Sequence, residues 1–399
     1  MQEKDTEKRK KGDLFLSSLR VLDLADEKAS FCSRLLADLG ADVIKLERPG
    51  GKQIRKNPTY YSSFLYHNRN KRGITLDLNR KRGRDLFLRL VKGSDIIIES
   101  FALGSLEEWG LEYGRLKIEN PAIIHVKVSD FGSAGPRSQY KSCDLVASAC
   151  GGHMAVTGSP QGPPLRLYGK QSYYSASLFA ACTILLAIIK RNRTGEGDYL
   201  EITLHEAVTS TLEYVMVRYF SENLIPGRTG GEHWNDLFFP IPCKDGFIQM
   251  SVFQHWETLV ELMERDGAVA DLGEPKWKDE KYRRQNKDHA LLILKKWAKR
   301  FTRHELFEMG QAMRFPWAPV QSPKEILSCP HLKARGFFYE EKSGDRSIPF
   351  PGLPFRLSTQ PDKRDRSAPA PGEHNLTVYR DELGIDEMEI RELASEGII

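Results

Sequence analysis

Residues 19–47 read LRVLDLADEKASFCSRLLADLGADVIKLE, and this stretch determines the fold. Its first part, 21–24, is a short apolar strand, the leucines within 31–39 recur at helical spacing, and 42–47 form a second strand. The same alternation continues, with a helix predicted at 83–91 and strands at 73–78, 95–99, 122–128 and 199–204. Strands separated by helices of this length are typical of βαβ units, so we predict an α/β fold with a parallel sheet.

The pattern of predicted strands and helices changes near Pro226. Residues 175–191 are apolar on nearly all sides, which predicts a buried helix. Another helix should follow the strand at 199–204 and reach about Phe220, and Pro226–Gly231 should form a loop. Farther along the chain we predict a strand at 247–252, helices at 256–265, 289–300 and 304–313, a loop-like stretch at 316–371 and a final helix at 387–395.

Composition indicates an ordinary globular protein with a net charge of +5 and 28% charged residues. The charged start predicts a flexible tail over residues 1–14 and lacks the apolar core of a signal peptide. The most apolar stretch, 178–189, is shorter than the ~20 residues that span a bilayer. No basic stripe is interleaved with aromatic residues, which argues against a nucleic-acid partner. We therefore expect a cytoplasmic protein without membrane or nucleic-acid partners, whose mild positive charge suits an anionic ligand.

Metal, disulfide, dinucleotide and hydrolase motifs are not found in the sequence. The six cysteines form no CxxC pair and have no histidine at zinc-ligand spacing; they are Cys32, Cys143, Cys150, Cys182, Cys243 and Cys329. The turn after Leu24 reads ADEKAS, without the glycines of a dinucleotide site and with two acids that would repel phosphate. No GxSxG elbow occurs. We expect reduced thiols, no metal and no NAD.

Several short sequence motifs, each of low specificity by itself, occur together in a specific order. They are 19–24 (LRVLDL), 35–50 (LLADLGADVIKLERPG), 68–72 (NRNKR), 76–78 (LDL), 131–136 (FGSAGP), 195–203 (GEGDYLEIT), 318–320 (APV), 371–375 (PGEHN) and 397–398 (GI). This ordered set resembles the family III CoA-transferases of the CaiB/BaiF type. The resemblance implies that the substrates are CoA thioesters and that no cofactor is tightly bound.

The resemblance also implies an architecture that spacing alone does not predict. In this family a Rossmann-like large domain is joined to a smaller α/β domain, and two chains interlock as linked rings in a dimer. Each active site lies between the large domain of one chain and the small domain of the other. The expected boundaries are 15–225 for the first part of the large domain, 226–325 for the small domain and 326–399 for the return to the large domain.

The family's catalytic aspartate is missing from this sequence. That residue lies about nine positions after a proline, just before an alanine-rich helix, and here the position falls on Tyr173. The family glycine four residues later is Ser177. No Asp or Glu occurs between Asp144 and Glu196, so a shifted alignment does not restore the carboxylate. A transferase of this family needs that carboxylate as its nucleophile, so we expect this chain to have no catalytic residue of its own.

Other positions of the resemblance also depart from the family pattern. A Gly-Pro pair is replaced by Ser30-Phe31, and a basic residue of the CoA-binding turn by Glu108. The racemase histidine position falls on Cys143, which argues against a racemase. Four positions match family CoA contacts, and they are Arg48, Leu76, Phe101 and Lys141. The alternative is that Arg48 and Lys141 are ordinary surface charges and that Leu76 and Phe101 are core residues.

The leading hypothesis is therefore a non-catalytic subunit that supports a paralogous catalytic chain in a heterodimer or heterotetramer. The chain resembles a subunit of the heteromeric enzymes that move CoA from succinyl-CoA to benzylsuccinate in anaerobic toluene degradation, which suggests acyl-CoA and dicarboxylic acid substrates. An active homodimer that uses another carboxylate, such as Asp144, is one alternative. A CoA-binding protein without enzymatic activity is another.

A glycine-rich loop at the start of the small domain is implied to reach the other chain's active site. The matching segment is Gly227, Arg228, Thr229, Gly230, Gly231, Glu232, His233 and Trp234. Its glycines permit backbone conformations closed to larger residues. We expect Arg228 and His233 to pair with a substrate carboxylate and Trp234 to stack on an aromatic ring, whereas an ordinary linker remains the alternative.

Overall fold

The computed structural model describes residues 14–51, 58–233, 238–343, 346–356 and 366–399. The predicted flexible tail, 1–14, lies outside these residues except for Leu14. The chain divides into two compact units. Unit 1 comprises 1–154, 166–225 and 337–399, and unit 2 comprises 155–165 and 226–336. The domain boundaries expected from the sequence stay a prediction.

The strands of the described residues belong to three sheets. In chain order they are β1 (Arg20–Asp23), β2 (Asp42–Glu47), β3 (Arg72–Thr75), β4 (Ile96–Glu99), β5 (Ile124–Ser129), β6 (Tyr199–Thr203), β7 (Phe238–Cys243), β8 (Gly246–Ser251), β9 (Ala318–Pro319), β10 (Phe338–Ser343) and β11 (Arg346–Pro351).

The helices of the described residues are α1 (Ser30–Asp38), α2 (Pro58–Asn68), α3 (Lys81–Lys92), α4 (Ser105–Glu108), α5 (Tyr113–Glu119), α6 (Asp144–Cys150), α7 (His153–Val156), α8 (Gln171–Thr194), α9 (Leu204–Ser210), α10 (Glu213–Glu222), α11 (Trp256–Arg265), α12 (Glu280–Gln285), α13 (Lys287–Ala298), α14 (Arg303–Ala312), α15 (Pro323–Ser328), α16 (Pro330–Ala334) and α17 (Glu387–Ser395). A 3₁₀ turn spans Pro275–Lys278 and a π-helix spans Leu376–Glu382.

The main sheet of unit 1 has six parallel strands in the order β3-β2-β1-β4-β5-β6. This confirms the predicted α/β fold. Alternate side chains of the strands enter two apolar cores, one on each face. Val21 and Val43 pack with α1 and α8, whereas Leu22 and Ile44 pack with α3 and α17. The strand order reverses between β1 and β4, and in open parallel sheets ligands bind outside the carboxyl ends of the strands at such a switch point.

A buried polar network fixes the NRNKR block beneath this switch point. Asp23, at the end of β1, accepts hydrogen bonds from Lys45 Nζ at 3.1 Å, Lys71 Nζ at 2.8 Å and Ser33 Oγ at 2.7 Å. Burial acts to raise the pKa of Asp23, but the two lysines outweigh burial and lower it. Burial lowers the pKa of Lys71 to about 8. The block therefore links β1, β2 and α1 through buried charges that are paired, and removing one partner would leave an uncompensated buried charge.

The last part of the chain covers the exposed edge of β3. Asn375 Oδ1 accepts a hydrogen bond from Thr75 N at 2.9 Å, and His374 N donates to Gly73 O at 2.9 Å. Tyr379, which is fully buried, donates its hydroxyl proton to Thr75 O at 2.7 Å. The PGEHN block thus supplies the hydrogen-bond partners that an edge strand otherwise lacks.

Helix α8 differs from the fully buried helix predicted at 175–191. Ala176, Ala180 and Ile184 pack on the sheet, but Leu186 and Ile189 on another face are exposed. The prediction was wrong because apolar composition does not distinguish a core helix from one with an unoccupied apolar face. With 24 residues, α8 is also long and apolar enough to cross a membrane, a property that core helices share.

The predicted loop-like stretch at 316–371 contains regular structure. Strands β10 (Phe338–Ser343) and β11 (Arg346–Pro351) pair as an antiparallel hairpin in unit 1, and α15 and α16 precede them. The prediction was wrong because prolines at 349 and 351 obscured a strand whose partner is its own neighbour. Similarly, the helix expected to reach Phe220 is interrupted at Thr211–Leu212.

Unit 2 has an antiparallel sheet, β7-β8-β9, packed against its helices. The core contains four tryptophans, which are Trp256, Trp277, Trp297 and Trp317. All four are buried, and aromatic side chains of this size bury a large apolar area each. This core anchors the segment that begins at Pro226.

Candidate functional site

The carboxyl edge of the parallel sheet carries three of the four positions matched to CoA contacts. Arg48 follows β2, Leu76 follows β3 and Phe101 follows β4. The loop at 24–29 follows β1 at the switch point. These positions share one edge because the strands are parallel. This edge is the candidate site.

Helix α8 begins at this edge and carries Tyr173 in its first turn. Lys170, the N-cap residue, forms an ion pair with Glu27 of the β1 loop. Ser177 Oγ donates a hydrogen bond to Lys28 O of the same loop at 3.2 Å. Tyr173 is therefore held beside the loop that follows β1. Both ties join residues more than 140 positions apart, so local sequence patterns could not predict them.

The Tyr173 phenol is half-buried and packs against the apolar core. Burial raises the pKa of Tyr173, and a hydrogen bond from the Asp144 backbone acts in the opposite direction. The raised pKa keeps the side chain a neutral phenol at physiological pH. At this position the chain therefore offers no anionic nucleophile.

Asp144, the alternative carboxylate, caps the start of α8. Its Oδ1 accepts hydrogen bonds from Ser172 N at 3.0 Å and from Ser172 Oγ at 2.7 Å. A carboxylate near a helix N-terminus satisfies backbone N–H groups that have no partner within the helix. The geometry of Asp144 is thus that of a helix cap.

An aromatic cluster that sequence analysis missed lies behind Tyr173. The rings of Phe31 and Tyr174 are 4.8 Å apart, edge to face. His67 Nε2 is 3.1 Å from the Tyr174 hydroxyl, and His67 Nδ1 is 3.2 Å from Ser63 Oγ. Burial lowers the pKa of His67 to about 3, so the ring is neutral. Phe31, where the family pattern has proline, thus packs its ring against Tyr174 of α8.

The four positions matched to CoA contacts differ in accessibility. Arg48 and Lys141 are exposed, Leu76 is buried in the core, and Phe101 packs edge to face on Trp109 at 5.2 Å. Glu108 ends α4 and is exposed. Their roles in CoA binding stay predictions. Within the described ranges, no three His, Cys, Asp or Glu side chains are grouped as a metal site.

The glycine-rich segment belongs to unit 2, and Trp234 lies outside the described residues. Gly230 adopts a left-handed backbone, with φ of +67°, and its N–H donates to Gly158 O at 2.9 Å. A Cβ at Gly231 would lie 2.8 Å from Pro240 Cγ. Arg228 donates hydrogen bonds to backbone carbonyls, and the His233 ring is 5.8 Å from Phe238. That Arg228 and His233 pair with a substrate stays a prediction.

Comparison with known proteins decides the family. A family model described as CoA-transferase family III matches residues 16–375. The chain belongs to CoA-transferase family III. Members of this family transfer CoA between carboxylic acids, use CoA thioesters as substrates and need no tightly bound cofactor.

Family III relatives match this chain over nearly its whole length. The succinyl-CoA:mesaconate CoA-transferase of Haloarcula hispanica is 33% identical over 93% of this chain and 96% of that protein. Subunit BbsE of the succinyl-CoA:(R)-benzylsuccinate CoA-transferase of Thauera aromatica is 28% identical over 96% of this chain and 98% of that protein. The crystal structure of a CaiB/BaiF family protein from Brucella suis has a TM-score of 0.85 and 27% identity, and it covers 92% of this chain and 99% of that one.

Proposed function

We propose that this chain is the non-catalytic subunit of a heteromeric family III CoA-transferase whose paralogous partner carries the nucleophile. The observation that carries the proposal is Tyr173, a neutral phenol in the first turn of α8, at the position that the family pattern assigns to aspartate. The two carboxylates tied to this turn are already engaged, Asp144 by Ser172 and Glu27 by Lys170.

The chemistry explains why tyrosine cannot substitute for aspartate. The carboxylate attacks the thioester carbonyl, expels CoA thiolate and forms a mixed anhydride. The thiolate then attacks the enzyme's own acyl carbon, releases the first acid and leaves CoA bound as an enzyme thioester. The second acid's carboxylate attacks the enzyme thioester carbon, expels CoA thiolate and forms a second mixed anhydride. The thiolate then attacks the second acid's acyl carbon, which gives the new acyl-CoA and releases the enzyme carboxylate. A phenol has no acyl carbon on which CoA could be held.

An exposed apolar surface supports the need for a partner chain. None of the side chains described for α10 is buried, although the helix carries Met216, Val217 and Phe220. The outer face of α8 adds Leu186 and Ile189. Exposed apolar surface of this kind marks interaction sites in soluble proteins. We infer an interlocked pair, as a heterodimer or heterotetramer in the cytoplasm, in which the loop at 227–234 completes the partner's site.

The acid substrates are proposed from the relatives' names. The mesaconate and benzylsuccinate enzymes both take CoA from succinyl-CoA. We therefore propose succinyl-CoA as donor and a dicarboxylic acid as acceptor, with (R)-benzylsuccinate the first acceptor to test. An ionised dicarboxylic acid is an anion, which suits a protein of net charge +5.

The decisive experiment compares the chain alone with the chain co-expressed with a family III paralogue that has aspartate at the Tyr173 position. Exchange of labelled succinate into succinyl-CoA should occur in the pair and be absent from either chain alone. An Asp→Ala variant of the paralogue should abolish it. Robust exchange by this chain alone would contradict the proposal.

The same assay separates the alternatives. An active homodimer that uses Asp144 would show exchange by the isolated chain and lose it in Asp144→Asn. A CoA-binding protein without activity would bind CoA in calorimetry and show no exchange with any paralogue.

A further inference from the structure

Two segments that are distant in sequence meet in one element of unit 2. Residues 158–162 and 227–231, called the double loop from here on, contact each other through backbone atoms. The Gly230 N–H donates to Gly158 O, and Gly162 N donates to Ser159 O at 3.2 Å, which closes a turn in the first segment. The contacting residues lie more than 60 positions apart in the sequence, so local patterns did not indicate that the two segments form one element.

A single guanidinium group joins the two segments. Arg228 Nε donates to Ser159 O at 3.1 Å, and its Nη2 donates to Gly162 O at 2.9 Å and to Pro160 O at 3.4 Å. Three carbonyl oxygens therefore converge on one cation. Only arginine presents several donors in a fixed plane, whereas a lysine ammonium is a point charge on a flexible stem.

Glycines make this close approach possible. Gly158 has φ of +120°, and a Cβ there would lie 3.1 Å from Leu165 Cγ and 3.4 Å from Arg228 Cδ. In the second segment, Thr229 Oγ1 donates to Glu232 O at 2.8 Å, and Glu232 pairs with Lys287 of α13 at 3.3 Å. The double loop is thus braced internally and attached to a helix of unit 2.

We propose that Arg228 is a positioning residue that fixes both segments of the double loop as one rigid body. The inference rests on the proposed function, in which residues 227–234 complete the partner's active site. A loop held in one conformation need not be ordered during each turnover, so its backbone groups are already oriented toward the reacting acyl group. Arg228 thereby acts through the loop, without contacting the substrate.

Hydrogen exchange of the full-length chain tests directly whether Arg228 acts as a clamp that holds the two segments of the double loop together. In Arg228→Met, exchange of the Gly230 amide should accelerate about tenfold or more, because charge-assisted hydrogen bonds contribute ~1.5–3 kcal/mol. Arg228→Lys should lie between wild type and Arg228→Met. The control is Arg284→Met, which removes an exposed arginine of α12 bonded to Glu280 and should leave Gly230 unchanged. Unaltered exchange in Arg228→Met would overturn the proposal.

Kinetics of the co-expressed pair test the positioning role. Arg228→Met should lower kcat by about tenfold or more with KM for the acid unchanged, since small misplacement costs up to ~100-fold. Partial rescue by Arg228→Lys is expected. A rise in KM with unchanged kcat and unchanged exchange would assign Arg228 to the substrate and refute the clamp. Faster exchange with unaltered kinetics would refute positioning. Because the exchange experiment needs no partner, failure of the proposed function would be seen separately.

Discussion

Tyr173 is not the only residue near the start of α8 that we expect to prevent catalysis by this chain. Restoring the carboxylate with Tyr173→Asp should not create transferase turnover in the isolated chain. Phe31 still fills space beside α8, Lys170 remains paired with Glu27, and Glu108 remains where the family pattern has a basic residue.

The measurement is CoA exchange by purified Tyr173→Asp, with Tyr173→Phe as the matched control. Both variants should have background rates. Turnover by the aspartate variant comparable with an active transferase would mean that the pocket is intact apart from its nucleophile.

His67 makes the protein sensitive to acid. The unfolded chain binds a proton on this imidazole near pH 6.5, whereas burial lowers the folded pKa to about 3. The unfolded state therefore binds more protons in this interval, and the free energy of unfolding falls as pH decreases from 6.5 toward 3. The contribution is on the order of a few kcal/mol.

Urea unfolding at pH 7 and at pH 5 checks this expectation. The pH dependence should be smaller in His67→Asn than in wild type, because asparagine does not titrate. His304→Asn, which removes an exposed histidine of α14, should retain the wild-type dependence. Equal dependence in wild type and His67→Asn would contradict the assignment.

Residue types and spacing could predict some of the site and not the rest. The tyrosine at the nucleophile position and the glycines of the loop are visible in sequence order. Partnerships such as His67 with Tyr174 and Arg228 with the carbonyls of Ser159 and Gly162 are not, because they join positions that only the fold brings together. Asp144 illustrates the difference, since its type suggests a nucleophile and its partner, Ser172, makes it a helix cap.

At the scale of elements, α10 is a helix whose apolar side chains are mostly exposed to solvent. It is regular, but Met216, Val217 and Phe220 are left exposed by the part of the chain that the structure describes, and Phe220 is 76% exposed. A charge placed there would be desolvated without a partner on assembly. Phe220→Glu should therefore weaken complex formation by at least about tenfold, since 1.4 kcal/mol corresponds to that factor.

Co-purification and sedimentation of the pair measure this effect. The control is Ile118→Glu on α5, because Ile118 is 73% exposed and lies on a different helix. That variant should assemble normally, and circular dichroism should show both variants folded. Normal assembly of Phe220→Glu would exclude α10 from the interface.

Elements with strong periodicity followed the sequence closely. Most strands of the parallel sheet are short apolar runs buried on both faces, and helices such as α3 and α17 each bury one apolar face that is visible in their residue spacing. The hairpin β10–β11 is different because its strands satisfy each other's hydrogen bonds and contain prolines. The exposed face of α8 was misread because apolar composition does not distinguish a core face from one that the chain leaves uncovered.

At the scale of the whole molecule, an interlocked pair constrains how the enzyme can be assembled. Two closed rings cannot link after both have folded, so one chain must fold in the presence of the other. Co-expressed subunits should therefore give active complex, whereas separately purified, folded subunits that are mixed should not. Unfolding both chains in urea and refolding them together should recover activity. Full activity on simple mixing would show that the chains pack side by side without linking.

The edge of β3 has a consequence for synthesis on the ribosome. The backbone N–H of Thr75 donates to Asn375, which is synthesised 300 residues later. At ~5–20 residues per second, translation of that interval takes roughly 15–60 s. During this time the nascent sheet presents an open strand to every other polypeptide nearby, which is a hazard for aggregation. Truncated messages, chaperone binding and slow codons should therefore affect the yield of this protein mainly through its last segment.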